Sequence, residues 1–568
     1  MNKKIISLVV VICISCVCLV QAGNSIVKKS NEQSAGEEMS YRQSMYSAVH
    51  NPFRPYPKTI TYTLGKMTGT GRSHMPSGDT YENNAYTRYL RMKLNVRNDD
   101  VFELLDGSSS YDERVHIAIA SDKLPDIFLV NDDQTLRQLI ARDKICDLKY
   151  AYDKCASKHI QNIYASYGAG ILNRVRDGDK MYALPETNID NGPSLLWLRH
   201  DWLEKLSLPT PKTIDDVRNI VKAFMQQDPG HNGSGNTVGL VTVPELVGEN
   251  GESENYQTDI IFAAFGAYPG HWLKRDLGAT YGSIQPGARK ALSYLHDMYE
   301  EGTLDRDFLF RDSDNITDLI VKGKCGAFFG TWSAPTTVLM KSLEADPSAD
   351  WRPYLIETDS DGSTSFAAQN PTGRYVVVRK GFEHPELVMK VISVLFDFVR
   401  YGDEDTKELE SYYKNNVDPS AMPFSINVDY KDSLSKTYDH LADVLIRKSK
   451  DTSSLDLHET NYYESCRDYL NAKDTGKAVK PEDWATYTSR IIACHKISDG
   501  QTKEVQCRYF SDTATMKKEW YKLHELEQKT YISIITGDEP LSAFDDFVKE
   551  WKIEGGSKIT REVKQLAE

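Results

Sequence analysis

Residues 195–227 read LLWLRHDWLEKLSLPTPKTIDDVRNIVKAFMQQ. Within HDWLEKLSL, Asp201 and Glu204 are spaced as a capping box, which predicts a short helix. In the second half Thr213 is the expected cap. Ile214, Val217, Ile220, Val221, Phe224 and Met225 then recur at helical spacing and form one apolar face.

Helices of this kind alternate with strand-like runs in both directions along the chain. Upstream, KTITYTL (58–64) places Ile60, Tyr62 and Leu64 on one side of a strand. GKMTGTGRS (65–73) reads as a glycine-rich loop without the Lys-Ser/Thr ending of a phosphate loop. A helix then carries Tyr86, Tyr89, Leu90 and Leu94 on one face. RVHIAIASDKLPDIFLV (114–130) is a helix, a Pro-marked turn and a buried strand, with Asn131, Asp132 and Asp133 at the strand's C-terminal end. Downstream, KGKCGAFFGTW (322–332) and RYVVVRK (374–380) read as strands, and 285–302 and 384–399 as Pro-opened amphipathic helices. Strand–helix alternation over this length predicts an α/β fold.

The 568 residues carry a formal charge of −14 and no basic cluster, which argues against nucleic acid as a partner. Two lysines, an apolar run from Ile5 to Val20 and then small residues predict a secretory signal peptide over 1–22, cleaved after Ala22. Cys16, after Ile14 and Ser15, is the alternative, resembling a lipidated cysteine although Cys13 stands where leucine is usual. Residues 23–57 are polar and end in NPFRPYP, as a flexible tether would. Export is expected on either reading, to the outer face of the cytoplasmic membrane or beyond it. Beyond the leader stand Cys146, Cys155, Cys325, Cys466, Cys494 and Cys507, none spaced C-x-x-C. Cys146 with Cys155, and a pair among the last three, are disulfide candidates, with buried thiols as the other reading.

Several stretches in order resemble the bacterial extracellular solute-binding proteins of carbohydrate importers. They are DGDKMYALP (177–185), the Arg199-His200-Asp201-Trp202-Leu203 run and its following Pro-Lys-Thr, MYEEGTLDRDF, VKGKCGAFFGTW, FEHPELVMKVI and FDDFVKEWKIEGGSKITREV. The resemblance implies a two-lobe, periplasmic-binding-protein-like α/β fold with a hinge and an interlobe ligand cleft. The first lobe would begin at 58–190. Residues 191–400 would hold the second lobe and a return crossing, 401–525 a helical elaboration mostly on the second lobe, and 526–568 a C-terminal helical segment. The implied partners are an oligosaccharide or related solute and membrane permease subunits of an ABC importer. A monomer with no cofactor is expected.

The resemblance makes Trp332, just after the strand GAFFGT, the expected sugar-stacking residue, with a core tryptophan as the other reading; Trp272 sits in a Gly/Pro-rich loop, as a cleft or a surface residue would. Asp132, Asp190 and Asn191 complete the candidate ligand set, with helix capping or turn formation as their other reading. Trp202 and Trp551 are expected in the core. QQDPGHNGSGNTVGL (226–240) places Asp228, Asn232 and Asn236 like the oxygen ligands of a calcium loop, but Gly239 stands where a bidentate Glu belongs. A turn that has kept the loop's shape, with weak or no calcium binding, is expected there. A surface glycan receptor without a transporter and an exported glycoside hydrolase are the alternatives. No nucleophile or metal-hydrolase motif supports the latter, so a binder rather than an enzyme is expected.

Overall fold

The strand expected to stop at Leu64 runs on to Thr68, because the residues read as a loop are pairing ones. Ile60–Thr68 lies parallel to Val96–Leu105 along its whole length, with a bulge at Leu64/Gly65. A side chain on Gly65 would meet Phe102 at 2.6 Å, so only glycine allows this approach. Lys66 is fully buried and donates to the carbonyls of Ser420 and Met422 (2.5 and 2.6 Å). The computed structural model describes residues 38–566 except 70–73, 106–108, 169, 249–253, 276–277, 402, 404, 416 and 448–450. The signal peptide, Cys16 and the tether up to residue 37 lie outside the described residues. Among those described, no helix is long and apolar enough to cross a membrane.

The sheet of the first lobe has the order Val96–Leu105, Ile60–Thr68, Ile127–Val130, Tyr375–Val378, Leu184–Pro185. The first three strands are parallel, and Tyr375–Val378 returns antiparallel between Ile127–Val130 and Leu184–Pro185. Leu64, Ile127, Leu129 and Val377 are fully buried in one core with Leu387, Val391 and Ile392 of the helix Leu387–Ser393. Lys390 of that helix is also buried. Its ammonium donates to the carbonyls of Ala48, Asn51 and Arg54 at 2.8, 2.6 and 2.8 Å, and burial pulls its pKa down to about 8.

The second lobe is built on Leu195–Arg199, flanked antiparallel by Ala327–Gly330 and Trp351–Tyr354. Helix Ile214–Gln227 forms as its apolar stripe requires, with Thr213 and Asp216 making the capping box and Val217, Ile220, Val221 and Phe224 buried. The box expected at Asp201/Glu204 is absent. The helix begins two residues earlier than that box requires, at His200, so Asp201 falls in its first turn and pairs with Arg199 at 2.8 and 2.7 Å. Trp202 and Trp551 are core residues. The six cysteines among the described residues are free thiols, four of them buried, which decides against the disulfide reading.

Three segments cross between the lobes side by side. Glu186 and Asn188 donate their backbone N–H groups to Arg374 and Pro371 on one flank (2.8 and 2.9 Å). Thr187 and Asp190 donate to Asn427 and Lys431 on the other (both 2.8 Å). Within the 401–525 stretch, Leu409, Tyr412, Phe424 and Ile426 join the first lobe's core. The helices Ser433–Leu445 and Leu457–Thr475 follow, and the turn Thr488–Ala493 brings Ala493 into a core with Trp351 of the second lobe.

Candidate functional site

The parallel strands of the first lobe end beside the crossing segments, and a cavity of about 760 Å³ opens there. One wall comes from Thr68 and Gly69 at the end of the first strand, Glu186 and Arg374 on the crossings, and Ser425 and Asn427 beyond them. The opposite wall is His458, Asn461 and Tyr462, one face of the helix Leu457–Thr475. Strand ends at a topological switch are where α/β sheets hold ligands. Tyr86, Phe396, Tyr413 and Tyr462 offer ring faces, while Glu186, Asn427 and Asn461 offer planar polar groups.

The charges around this cavity are mostly spent. Arg374 donates to Ser425 O (2.9 Å) and Asn131 Oδ1 (3.3 Å) and lies 4.0 Å from Glu186. Arg400 lies 3.0 Å from Asp429. His458 packs edge-on to Tyr413, 4.2 Å between ring centres, and burial, with Arg400 and Arg490 nearby, pushes its pKa down to about 3. It is a neutral imidazole at ordinary pH. A second cavity, of about 560 Å³, touches the crossing at Asn370 from the other lobe, with Glu254, Gln257, His524 and Glu527 in its wall.

Trp332 and Asn191 are brought together. The indole Nε1–H donates to Asn191 Oδ1 at 3.0 Å, and the Asn191 N–H donates to Gln369 Oε1 at 3.1 Å. Trp332 is half-buried, and one face of its ring lies against the guanidinium of Arg490, 4.4 Å away. Asp190 is also half-buried on the crossing, and its Oδ1 accepts from the Gly192 N–H at 2.9 Å, holding a turn. Burial raises its pKa.

Asp132 caps the helix Asp133–Ala141, accepting from Thr135 N and Oγ1 (2.9 and 2.7 Å). The same carboxylate lies 3.3 Å from Lys517 of the helix Met516–Thr536, whose Leu523 and Tyr531 pack in the second lobe's core. Asp133 next to it accepts from Tyr375 of the first lobe and from Ser511. The strand end therefore carries an interlobe contact.

Trp272 is not at the cleft. The loop containing it folds into the strand Trp272–Arg275, and the ring is 5% exposed, packed among Tyr281, Trp520 and Trp551. Its Gly/Pro-rich neighbours mark the turn before the strand rather than a ligand loop.

The 226–240 loop is held by its own side chains. Asp228 ends the preceding helix in a left-handed conformation, φ 44°. Its Oδ1 accepts from Asn232 N (2.9 Å) and Thr237 Oγ1 (2.7 Å), its Oδ2 from Gly233 N (2.8 Å). Asn232 Nδ2 donates to Gly323 O at 2.9 Å, and Asn236 Nδ2 to Asn232 O at 2.9 Å. The loop's one carboxylate is thus engaged by N–H and O–H donors. Among the described residues no group of three or more His, Cys, Asp or Glu could hold a metal ion.

Tyr462, Asn461, His458 and Arg490 were not legible as site residues. They sit within residues 401–525, where no motif or regular apolar period points to them.

No family model matches the chain. It is similar to lipoprotein LipO of Bacillus subtilis, 23% identical over 468 residues, covering 81% of this chain and 84% of that one. It is also similar to the polygalacturonan/rhamnogalacturonan-binding protein YtcQ of the same organism, 23% identical over 378 residues, 65% of this chain and 66% of that one. Among solved structures, an EF-hand mutant of the Streptococcus pneumoniae ABC-transporter substrate-binding protein FusA, in complex with fructo-nystose, superposes with a TM-score of 0.56. That match is 16% identical and covers 89% of this chain and 98% of that one. The fold is that of the two-lobe solute-binding proteins, as the ordered motifs implied.

Proposed function

We propose that the chain is the exported solute-binding component of an ABC importer and captures an oligosaccharide between its lobes for delivery to membrane permease subunits. The observation that carries this reading is the placement of the 760 Å³ cavity. It lies against the three crossing segments, where rotation of one lobe on the other opens or closes it, and it combines ring faces with planar polar groups. The relatives' names fit this reading: two are saccharide binders and one a lipoprotein, and none is described as an enzyme. Trp332, Asn191 and Asp190 stand at the crossing outside the lining of this cavity, and Asp132 joins the lobes through Lys517. At the loop after Asp228 the lone carboxylate already accepts from Asn232, Gly233 and Thr237, which supports weak or no calcium binding there, whereas the FusA structure is described by an EF-hand. Isothermal titration of the purified protein against a panel of neutral and acidic oligosaccharides tests the reading. Saturable binding that changes the protein's radius of gyration supports it; a panel with no binder overturns it.

A further inference from the structure

Arg490 stands apart from the other arginines near the cleft. Its guanidinium lies between two aromatic faces, 4.4 Å from the Trp332 ring centre and 4.2 Å from that of Tyr462. One N–H donates to the Tyr462 hydroxyl at 2.9 Å, and among the described residues no carboxylate pairs with it. A guanidinium has five donors in a planar fork that matches a carboxylate edge to edge. Here a ring lies close at each of the two contacts and, among the described residues, only the bond to Tyr462 spends a donor. Arg374 and Arg400, by contrast, have acidic neighbours in Glu186 and Asp429.

The backbone reinforces the arrangement. Arg490 sits in Thr488–Ala493, a stretch wound as a π-helix, a winding that tends to occur at functional positions. Tyr462 is a wall residue of the 760 Å³ cavity, and the hydroxyl bond ties to that wall a guanidinium that stands just behind it, outside the lining. In a protein of net charge −14, an anionic ligand is disfavoured by the overall field unless a local cation receives it.

We infer that Arg490 is the anion-recognition residue of the cleft and that the captured oligosaccharide carries carboxylates, as uronic-acid units do. Trp332 and Tyr462 act as positioning residues that hold the fork in one plane, so that little motion is lost when it engages a carboxylate bidentately. This rests on the proposed function and narrows its ligand class.

The test uses the full mature chain and two probes, a galacturonic acid trimer and the same trimer with its carboxylates reduced to hydroxymethyl groups. The wild type is expected to bind the acidic trimer at least about tenfold more tightly, the scale of one charge-assisted hydrogen bond. Arg490→Gln should cut the ratio of acidic-trimer to reduced-trimer affinity at least about tenfold, the ratio rather than either affinity being the readout. Arg490→Lys keeps the charge but not the fork, and should lose most of the preference too. It also serves as the second variant should Arg490→Gln fail to fold. Equal binding of both trimers by the wild type, or a preference that survives in the variants, overturns the inference. So does binding only of neutral members of a wider panel, which leaves the proposed function standing. A panel in which no saccharide binds removes both.

Discussion

The indole nitrogen of Trp332 donates to the side-chain oxygen of Asn191 at 3.0 Å, so an aromatic of the second lobe is tied to the segment that joins the lobes. Trp332→Ala removes this bond and the ring that holds Arg490. Affinity for a bound oligosaccharide should fall by about 2–4 kcal/mol, as at other aromatic anchors. Trp332→Phe keeps a ring and loses only the N–H, so it should cost about 1 kcal/mol. Titration calorimetry on both variants separates the two contributions; equal losses would mean that the ring itself is idle.

Trp272 should behave oppositely. It is packed among Tyr281, Trp520 and Trp551, so Trp272→Ala should lower unfolding stability by about 3–5 kcal/mol. The folded fraction should bind ligand with unchanged affinity. A variant of native stability with lost binding would return Trp272 to the cleft.

Asp132 links acid stability to the interlobe contact. Burial pushes its carboxyl up, but the Thr135 hydrogen bonds and Lys517 outweigh this and hold it below its ordinary value of 3.8. The unfolded chain then takes up this proton more readily than the folded one. The contribution is complete above pH 3.8 and lost as pH falls through the lowered value. In Lys517→Met the folded value moves back towards 3.8, so the contribution should be smaller and be exhausted at a higher pH, and in Asp132→Asn this component of the acid limb should vanish. Thermal midpoints recorded from pH 2 to 6 report both.

The loop at Asp228 should take up calcium no more tightly than roughly millimolar, since a single carboxylate remains and its oxygens already accept from Asn232, Gly233 and Thr237. Asp228→Ala should lower the thermal midpoint in calcium-free buffer, and added calcium should not raise that of the wild type. A submicromolar constant by calorimetry would contradict this.

Prolonged incubation of the tightest ligand with concentrated protein should return it intact by chromatography. Shortened or rearranged products would point to a glycoside hydrolase.

Where burial follows a simple period, the sequence was readable. The stripe from Ile214 to Phe224, the Thr213 cap and the strand around Val376 all lie where spacing placed them. It failed where long-range contacts overrode local preference. Gly65 and Lys66 looked like loop residues, yet they pair in the sheet because Phe102 needs a glycine opposite it and the 420–422 carbonyls receive the buried ammonium. Asp132 was singled out for its place at the end of a strand, and there it caps a helix and pairs with Lys517. Trp272 and Trp332 both follow glycine-rich runs, and only tertiary packing separates the core ring from the crossing one. Arg490 carries no local signal because its partners lie 28 and 158 residues away in sequence.

The buried ammonium of Lys390, seated on three carbonyls between Ala48 and Arg54, has a mechanical consequence. A load applied through the chain before residue 48 passes into the helix Leu387–Ser393 and the first lobe's core beneath it. For a molecule held by that end, the first lobe is the stator and the second the swinging arm. Capture then requires moving only the half that is not restrained.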